Sequence, residues 1–403
     1  MHVVFVCSEF PLSGRPTGGF GTYVDNISAG LIKLGVNVTI VCKAEKPDVM
    51  RQKGRKIIAV AGLNPKLKHS FLRSPLSLIR RIVAFLDYPL FYSLAVLRNL
   101  RRLDNIEPVD IIEGGDFGAE LFFYLLTRKK TAPRVVIKLH TPSFVIRRYN
   151  KEPKNWFYLI MEFIEAFVIK EADGINSPTQ ALAEIVEEKL RVKVSRIIPY
   201  PLPHIEASRS KVKRDPNLIV YVGKLQRKKG VGDLIEAIPL VIKKYPQLRL
   251  LLIGPDTISG KDSYKSLLTN KLKANGAIAW VTFYDPLPQK ELFAHLRQAA
   301  VTVIPSIWEN FPNVIFEATE NESAVVATNT GGIGEMVRHK IEALLVPPQD
   351  AKALAKALIK LLALPLLRAT LVSGAKKRFE SVYAPRLIAS QTYKLYQEVL
   401  KNV

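Results

Sequence analysis

The fold is decided by a stretch near the middle of the chain, Leu218-Ile219-Val220-Tyr221-Val222-Gly223-Lys224-Leu225-Gln226-Arg227-Lys228-Lys229-Gly230. Its uninterrupted apolar run predicts a strand that is buried on both faces of a sheet. A helical pattern follows from Gly230 to Lys244, where Pro239 predicts a kink. The basic turn therefore lies at the carboxyl end of a strand and at the start of a helix, which is where open α/β sheets bind ligands.

Similar pairs of an apolar run and an amphipathic segment occur on both sides of this stretch. Their alternation predicts parallel strands connected by helices. Further strands are predicted at Val3–Cys7, Val36–Cys42, Ile57–Val60, Ile111–Glu113, Val135–Leu139, Gly174–Asn176, Arg196–Pro199, Leu250–Ile253, Ile278–Phe283, Val301–Ile304 and Ala324–Ala327. Further helices are predicted at Thr22–Leu34, Gln289–Ala299, Ala351–Leu362 and Ile388–Leu400.

The alternation stops at Pro199-Tyr200-Pro201-Leu202-Pro203, because proline continues neither a helix nor a central strand. The sequence therefore predicts two Rossmann-like, doubly wound α/β domains that face each other across a cleft. We expect an N-terminal domain at 1–205, a C-terminal domain at 206–380, and a final helix at 381–403 that packs back on the first domain.

Composition restricts the class of protein and its partners. The chain has 403 residues, of which 48% are apolar, so it can form large cores and is neither disordered nor fibrous. Two cysteines, Cys7 and Cys42, are too few for a disulfide framework or a four-ligand zinc site, and they suit a reducing compartment. The net charge of +23 indicates an anionic partner, which is a nucleic acid, a membrane surface or a phosphorylated substrate.

The positive charge is concentrated in residues 51–103, where Asp87 is the one acidic residue. Apolar residues alternate there with arginines such as Arg80, Arg81 and Arg98. The pattern is typical of an interfacial helix, and equally of an ordinary surface helix whose apolar side lies in the core. The charge favours the first interpretation, so we predict contact with an anionic membrane surface.

Four motifs follow predicted strands. The glycine loop Pro16-Thr17-Gly18-Gly19-Phe20-Gly21 suits phosphate binding by backbone N–H groups, although a plain tight turn has the same composition. The basic turn at 223–230 gathers cations where the helix dipole favours anions, which indicates a bound phosphate or diphosphate rather than a solvated turn. Thr328-Asn329-Thr330-Gly331-Gly332-Ile333-Gly334-Glu335 is a glycine turn that enters a helix.

The fourth motif, at 305–318, places Glu309 and Glu317 on either side of Asn310-Phe311-Pro312-Asn313-Val314. An acid in an apolar stretch needs a partner, and a carboxylate can accept two hydrogen bonds from a sugar diol. A solvent-facing acid on an amphipathic helix explains Glu317 equally well. His140 ends a strand in the first domain, where it is either a site residue or a structural histidine.

Taken together, these motifs resemble the retaining GT-B glycosyltransferases of family 4 over essentially the whole chain. Gly18-Gly19 is similar to the N-terminal glycine loop of that family, and Gly223-Lys224-Leu225 with Lys229-Gly230 to its G-R-L-x-x-x-K-G motif. Glu309 and Glu317 fit its E-x7-E motif, and Gly331-Gly332 with Glu335 its G-G-x-x-E turn.

The resemblance implies a role for each matching residue. Lys224 and Lys229 would bind the donor diphosphate and stabilise it as the leaving group. Gly19, beside Gly18, would donate its backbone N–H to the distal phosphate. The remaining implied donor contacts are Gly223 in the basic turn, Glu317 on the ribose, Glu309 with Asn310, Phe311, Pro312, Asn313 and Val314 on the donor sugar, and His140 beside the transferred sugar.

The resemblance also implies a nucleotide-diphosphate sugar as co-substrate, a saccharide or lipid-linked acceptor, and neither a cofactor nor a metal. We expect a cytoplasmic enzyme at the inner face of the membrane. Two features depart from the family pattern. Lys224 replaces an arginine and loses its bidentate fork, and Glu322-Ser323-Ala324 replaces a Gly-x-Pro, which predicts a less tightly turned loop.

Two other functions remain open at this point. A GT-B relative of another reaction type, such as a nucleotide-sugar epimerase or a phosphorylase, would share these motifs. A basic nucleic-acid-binding protein would share the charge, but the sequence contains no helix-turn-helix, zinc-finger spacing or aromatic RNA-binding pattern. We therefore expect no nucleic-acid partner.

Overall fold

The computed structural model describes residues 1–12, 19–62, 87–203, 212–259 and 262–401. The chain divides into two compact units. The first comprises residues 1–147, 153–203 and 383–403, and the second comprises residues 148–152 and 204–382.

The first unit contains an eight-stranded sheet in the order β3-β4-β2-β1-β5-β6-β7-β8. The strands are β1 His2–Val6, β2 Asn37–Lys43, β3 Asp48–Gln52, β4 Arg55–Val60, β5 Ile111–Gly115, β6 Arg134–Lys138, β7 Gly174–Ser177 and β8 Arg196–Ile197. The edge strand β3 is antiparallel to β4, and the other pairs are parallel. Strand β1 is central and buried along its whole length, as its continuous apolar run predicts.

Helices cover this sheet. They are α1 Gly19–Ile32, α2 Ser93–Ile106, α3 Phe122–Leu126, α4 Ser143–Asn150, α5 Trp156–Lys170 and α6 Gln180–Leu190, with a π-helical turn at Asp87–Tyr92. The C-terminal helix, Pro385–Lys401, packs against α1 in the same unit. The two helices approach closely because Gly30 has no side chain: a Cβ there would lie 2.7 Å from Cβ of Ala389.

The second unit contains a six-stranded parallel sheet in the order β13-β10-β9-β14-β15-β16. The strands are β9 Asp215–Val222, β10 Arg249–Ile253, β13 Val281–Tyr284, β14 Ala299–Ile304, β15 Ala324–Thr328 and β16 Leu344–Val346, and a separate small hairpin joins β11 Ile258–Ser259 to β12 Asp262–Ser263. Alternate residues of β9 and β10 contribute to two cores, one on each face: Ile219 and Leu250 to one, Leu218 and Leu251 to the other.

The helices of the second unit are α7 Val231–Ile242, α8 Tyr264–Ala274, α9 Gln289–Gln298, α10 Val314–Glu320, α11 Ile333–Met336, α12 Ala351–Ala363 and α13 Pro365–Val382. Short 3₁₀ turns lie at Arg227–Lys229 and Ile278–Trp280. The predicted strand at Ile278–Phe283 is therefore wrong in its first half, where Trp280 Nε1 donates to the carbonyl of Pro246 at 2.8 Å.

Two further expectations are corrected in this unit. The cations of the basic turn precede α7 rather than opening it, because Gly230 has φ +64° and separates the 3₁₀ turn from the helix. The first turn of α7 instead carries Asp233, as the helix dipole favours. The loop before β15 is tight rather than loosely turned: Glu322 has φ +63°, and Ser323 N donates to the carbonyl of Ala318 at 2.9 Å.

The basic segment at 51–103 is described in part, since residues 63–86, with Arg80 and Arg81, lie outside the described residues. In α2 most apolar residues, namely Val96, Leu97, Leu100 and Leu103, are buried within the first unit, whereas Ile106 and Arg98 are exposed. This is the surface-helix alternative that the sequence left open for this part of the segment. Arg55 is also buried and pairs with Asp25. Membrane contact through residues 51–103 stays a prediction.

Among the described residues, no single helix is long and apolar enough to cross a bilayer. The pair Ala351–Ala363 and Pro365–Lys401, which is bent by 102°, reaches the required length and composition only when the two are joined.

Candidate active site

The basic turn of the second unit lies between the carboxyl ends of two neighbouring strands and is held there by glycines. A Cβ on Gly254, after β10, would lie 2.1 Å from the carbonyl oxygen of Gly223, after β9. A Cβ on Gly230 would lie 1.8 Å from the carbonyl oxygen of Pro305, after β14. The backbone approaches are therefore possible only without side chains at these positions, and they bring the basic turn against the loop that contains Glu309.

Lys229 and Glu309 form an ion pair at this contact, in which the carboxylate is buried and the lysine is partly exposed. Ser306 Oγ lies 3.4 Å from the same carboxylate oxygen, Glu309 Oε2, and Glu309 is only 8% exposed. Burial raises the pKa of Glu309, but the ammonium groups of Lys229 and Lys228 more than offset that effect and hold it below its usual range. Glu309 is thus a charged carboxylate beside two cations.

Lys228 is the most enclosed cation of the turn. Its amide donates to Asn150 Oδ1 at 3.0 Å, and its carbonyl accepts from the amide of Ile307 at 2.8 Å. Its ammonium lies 5.5 Å from the ring centroid of Trp308, which stacks on Tyr149. Burial lowers the pKa of Lys228 to about 8. The basic turn at 223–230 contains Lys228, but the family resemblance implied no role for it.

The glycine turn after β15 holds the backbone of Glu309 from the other side. Gly331 has φ +51°, and a Cβ there would lie 2.1 Å from the carbonyl oxygen of Glu309. That same carbonyl accepts from the amide of Gly332 at 2.9 Å. Three of the four sequence motifs therefore converge on one residue, Glu309.

The residues between the two glutamates form the entry to α10. Asn310, Phe311 and Pro312 are buried, Asn313 precedes the helix, and Val314 is its first residue. Glu317 lies one turn into α10, and no described residue donates a hydrogen bond to its carboxyl group. Burial raises the pKa of Glu317 to about 7. A carboxyl group in this state gains from a ligand that supplies hydroxyl donors.

Lys224 differs from the other cations of the turn because its side chain is exposed. Its carbonyl accepts from the hydroxyl of Tyr221 at 2.9 Å, which fixes the backbone. Within the described part of the chain, no acidic side chain pairs with its ammonium. This cation is available to an anion from solution.

His140 lies in the first unit, between β6 and α4, in a group of aromatic rings. Its ring centroid is 4.0 Å from that of Phe20, and its Nδ1 hydrogen-bonds the hydroxyl of Tyr200. Its amide donates to Asp116 Oδ1 at 2.7 Å. Burial, and then the charge of Lys138, hold the pKa of His140 well below its usual range. The ring is therefore neutral imidazole at neutral pH.

A buried polar network that the sequence did not reveal lies beside His140. Glu113 accepts from the hydroxyl of Tyr23 at 2.8 Å and from that of Tyr396, on the C-terminal helix, at 2.7 Å. The ammonium of Lys138 donates to Asn176 Oδ1 at 3.1 Å and lies 5.4 Å from the ring centroid of Tyr200. Burial lowers the pKa of Lys138 to about 7 and raises that of Glu113. The sequence signals available for this network were two charged residues within predicted strands, Lys138 and Glu113.

Three more carboxyl groups are buried near the end of β5. Burial raises the pKa of Asp116 and of Glu120 to about 7, and that of Glu165 to about 8. Glu165 accepts from Ser143 N and Ser143 Oγ, each at 2.7 Å, and Glu120 accepts from Ser8 N at 3.0 Å. Glu165 thus joins α5 to the start of α4, and Glu120 joins the segment after β5 to the residues that follow β1.

The N-terminal glycine loop is described from Gly19 onward, and Gly18 lies outside the described residues. Gly19 is the exposed first residue of α1. A Cβ on Gly21, in the first turn of the helix, would lie 2.0 Å from the carbonyl oxygen of Glu9, so this glycine is required for packing.

Across the described residues, no three His, Cys, Asp or Glu side chains are grouped closely enough to hold a metal ion.

Two family models match the chain. Residues 17–201 match Glycosyltransferase Family 4, and residues 205–378 match Glycosyl transferases group 1. The first match contains His140 and most of its unit, and the second contains Lys229, Glu309 and Glu317. The predicted resemblance to the glycosyltransferases of family 4 and group 1 is therefore confirmed.

Curated relatives are enzymes of sugar transfer. The chain is 29% identical over 379 residues to a D-inositol 3-phosphate glycosyltransferase of Corynebacterium urealyticum, covering 86% of this chain and 82% of that protein. It is 26% identical over 238 residues to the glycogen synthase of Mycobacterium tuberculosis, covering 58% of this chain. That match spans 56% of the glycogen synthase, little more than half of its length.

Solved structures share the fold over the whole chain. The sucrose-phosphate synthase of Thermosynechococcus elongatus has a TM-score of 0.75 at 20% identity, with 100% of both chains covered. A Staphylococcus aureus TarM variant, solved with fondaparinux, alpha-GlcNAc-glycerol and UDP, has a TM-score of 0.70 at 13% identity and covers 98% of this chain and 100% of its own. The predicted fold of two Rossmann-like sheets is confirmed, and the chain belongs to the GT-B glycosyltransferases that combine a family 4 domain with a group 1 domain.

Proposed function

We propose that this chain is a retaining, metal-independent glycosyltransferase. It moves a sugar from a nucleotide-diphosphate sugar to a hydroxyl of a glycan, glycolipid or lipid-linked saccharide, and it works at the cytoplasmic face of a membrane. The observation that carries the proposal is the Lys229–Glu309 pair, whose carboxylate is buried and which three glycine-dependent backbone contacts hold at the carboxyl ends of parallel strands.

The donor is held by charge and by diol recognition. Lys229 and the exposed Lys224 bind the diphosphate, and Lys228 adds positive potential from its buried position. Glu317 accepts two hydrogen bonds from the ribose hydroxyls, which give its buried carboxylate the donors it lacks. Glu309, with the backbone from Asn310 to Val314, binds hydroxyls of the donor sugar. Gly19, beside Gly18, donates its amide to the distal phosphate.

The reaction breaks the bond between the anomeric carbon and the diphosphate oxygen and forms a bond from that carbon to the acceptor oxygen on the same face. The acceptor proton passes to the departing phosphate, and Lys224 and Lys229 stabilise the charge that develops on it. His140 lies beside the transferred sugar in this proposal. Its neutral imidazole can accept or donate a hydrogen bond without placing a second positive charge near the oxocarbenium-like centre.

The relatives support this choice of donor and acceptor. The TarM structure contains UDP with saccharide ligands, and the Corynebacterium relative is named for transfer to inositol 3-phosphate. UDP is what a UDP-sugar leaves after transfer, and inositol 3-phosphate carries free hydroxyls, so the two names suggest a nucleotide-sugar donor and a hydroxyl-bearing acceptor. We extend both to this chain as part of the proposal.

The test is turnover of UDP-, GDP- and ADP-sugars, with analysis of the products from one radiolabelled donor. We expect the wild-type protein to hydrolyse one donor class slowly and to transfer its sugar with retention of configuration. Lys229→Ala and Glu309→Ala should abolish both reactions while circular dichroism shows a folded protein. Full activity in both variants would contradict the site, and a sugar 1-phosphate or an epimerised nucleotide sugar as product would contradict the reaction.

A further inference from the structure

Helix α5 exposes an apolar stripe on its outer side. Ile164, Val168 and Ile169 face the core of the first unit and are buried. The opposite side presents four large apolar side chains, Trp156, Leu159, Ile160 and Phe163, which are 53%, 52%, 39% and 71% exposed. Their spacing of i, i+3, i+4 and i+7 places them on one face of the helix. We call these four residues the α5 stripe.

The stripe contains no acidic side chain, because both carboxylates of α5 are engaged elsewhere. Glu162 pairs with Arg147, and Glu165 is buried against Ser143. Exposed lysines lie on both sides of the stripe along the chain, with Lys154 just before the helix and Lys170 at its end, where the exposed Glu171 follows. Water therefore contacts an apolar surface that is flanked by positive charge.

The neighbouring helix α3 widens this surface. Phe122 packs on Phe167 of α5 with ring centroids 5.5 Å apart, and Leu126 at the end of α3 is 53% exposed. Lys129 and Lys130 follow α3 and are both exposed. An apolar centre with a cationic margin thus extends across two packed helices of the same unit.

The exposed apolar side chains and the nearby lysines together indicate what kind of partner binds the α5 stripe. Folded proteins seldom leave contiguous apolar surface in water unless it binds something. Tryptophan, phenylalanine and aliphatic residues in one stripe, bordered by lysines, match a helix that lies in the headgroup region of a bilayer. The lysines and the net charge of +23 are complementary to anionic lipid headgroups. We propose that the α5 stripe docks the first unit on an anionic lipid bilayer.

The inference rests on the membrane-bound acceptor of the proposed function and places the contact outside residues 51–103. In this arrangement Phe163 and Trp156 insert among the headgroups while the lysines contact lipid phosphates. The docked unit carries His140, so docking brings the unit that is matched by the family 4 model to the membrane where a lipid-linked acceptor is found.

The experiment is co-sedimentation with vesicles of phosphatidylcholine, with and without phosphatidylglycerol. We expect the wild-type chain to bind the anionic vesicles and the double variant Ile160→Ser/Phe163→Ser to bind them roughly tenfold or more weakly, because two inserted apolar side chains are lost. Lys129→Glu/Lys130→Glu should weaken binding most at low salt. The matched control is Leu366→Ser, which removes an 85% exposed leucine from the second unit and should bind as the wild type does.

Three results would overturn the proposal. The double variant could bind vesicles as tightly as the wild type, or the wild type could ignore anionic vesicles. Alternatively, sedimentation without lipid could show a wild-type dimer that the double variant separates, in which case a second copy covers the stripe. Donor hydrolysis measured without vesicles distinguishes this inference from the proposed function. The double variant should hydrolyse donor at the wild-type rate. A wild-type chain that binds vesicles but hydrolyses no donor would contradict only the proposed function.

Discussion

Replacing Gly331 by alanine should displace Glu309 without touching any ligand directly. The new Cβ would lie 2.1 Å from the carbonyl oxygen of Glu309, where ordinary contacts begin near 3.4 Å. Glu309 must therefore move by about 1 Å, and a misplacement of that size in a catalytic group costs on the order of 100-fold in rate. The left-handed backbone at Gly331 also makes alanine unfavourable, so unfolding should become easier by about 1–3 kcal/mol.

The matched control is Gly276→Ala, in the turn after α8. Gly276 has φ +71°, so alanine is strained there too, but a Cβ would meet nothing within 4 Å. We expect about 1 kcal/mol of lost stability and wild-type kinetics. The assay is kcat/KM for donor hydrolysis together with urea unfolding of both variants. If Gly331→Ala turned over donor within a factor of two of Gly276→Ala, the argument that this turn positions Glu309 would be refuted.

Three further predictions test separate parts of the structure. Burial raises the pKa of Glu317 from 4.5 to about 7, so the folded state holds a proton that the unfolded state releases, and stability falls as pH rises across that window. Asp116, Glu120 and Glu165 contribute in the same direction, so Glu317→Gln should make this fall shallower by the share of one carboxyl group. An unchanged slope of Tm between pH 5 and pH 8 would show that the carboxyl group is solvated. Tyr396→Phe leaves Glu113 Oε2 without its hydroxyl donor and should lower the free energy of unfolding in urea by about 1–3 kcal/mol. Tyr393→Phe, on the same helix, should lower it little, and equal losses in the two variants would contradict the network. Arg55→Met removes the partner of the Asp25 carboxylate, which is 34% exposed and stays partly hydrated, and should destabilise the chain by about 1–3 kcal/mol. Asp25→Leu in the same chain should largely recover this loss, and no recovery would mean that Arg55 acts by packing alone.

Sequence patterns predicted the two sheets well because central parallel strands are buried on both faces and read as uninterrupted apolar runs. Strands β1, β9 and β10 are of this kind. The edge strand β3, Asp48–Gln52, was missed because it is mostly exposed and polar. The first half of the strand predicted at Ile278–Phe283 was wrong because three apolar residues there form a 3₁₀ turn. Apolarity alone does not distinguish that turn from a strand.

The parts of the candidate site that lie in sequence motifs could be predicted, whereas the parts formed by tertiary contacts between distant residues could not. Glu309 and Lys229 were identified from spacing, and the structure places them in direct contact. The ring group around His140 was not predictable, since Phe20 and Tyr200 are far apart in the chain and are joined only by the fold. The Glu113–Tyr396 contact joins residues 283 positions apart for the same reason.

The central claim is that the basic turn and Glu317 together hold a nucleoside diphosphate. Isothermal calorimetry with UDP, GDP and ADP tests it directly on the wild type, Lys224→Ala and Glu317→Ala, with Lys271→Ala as the control, since that exposed lysine pairs with Glu236 in the same unit. We predict that one diphosphate binds the wild type and Lys271→Ala alike and binds the other two variants roughly tenfold or more weakly. Equal affinity in all four proteins, or no binding of any of the three diphosphates by the wild type, would contradict the account.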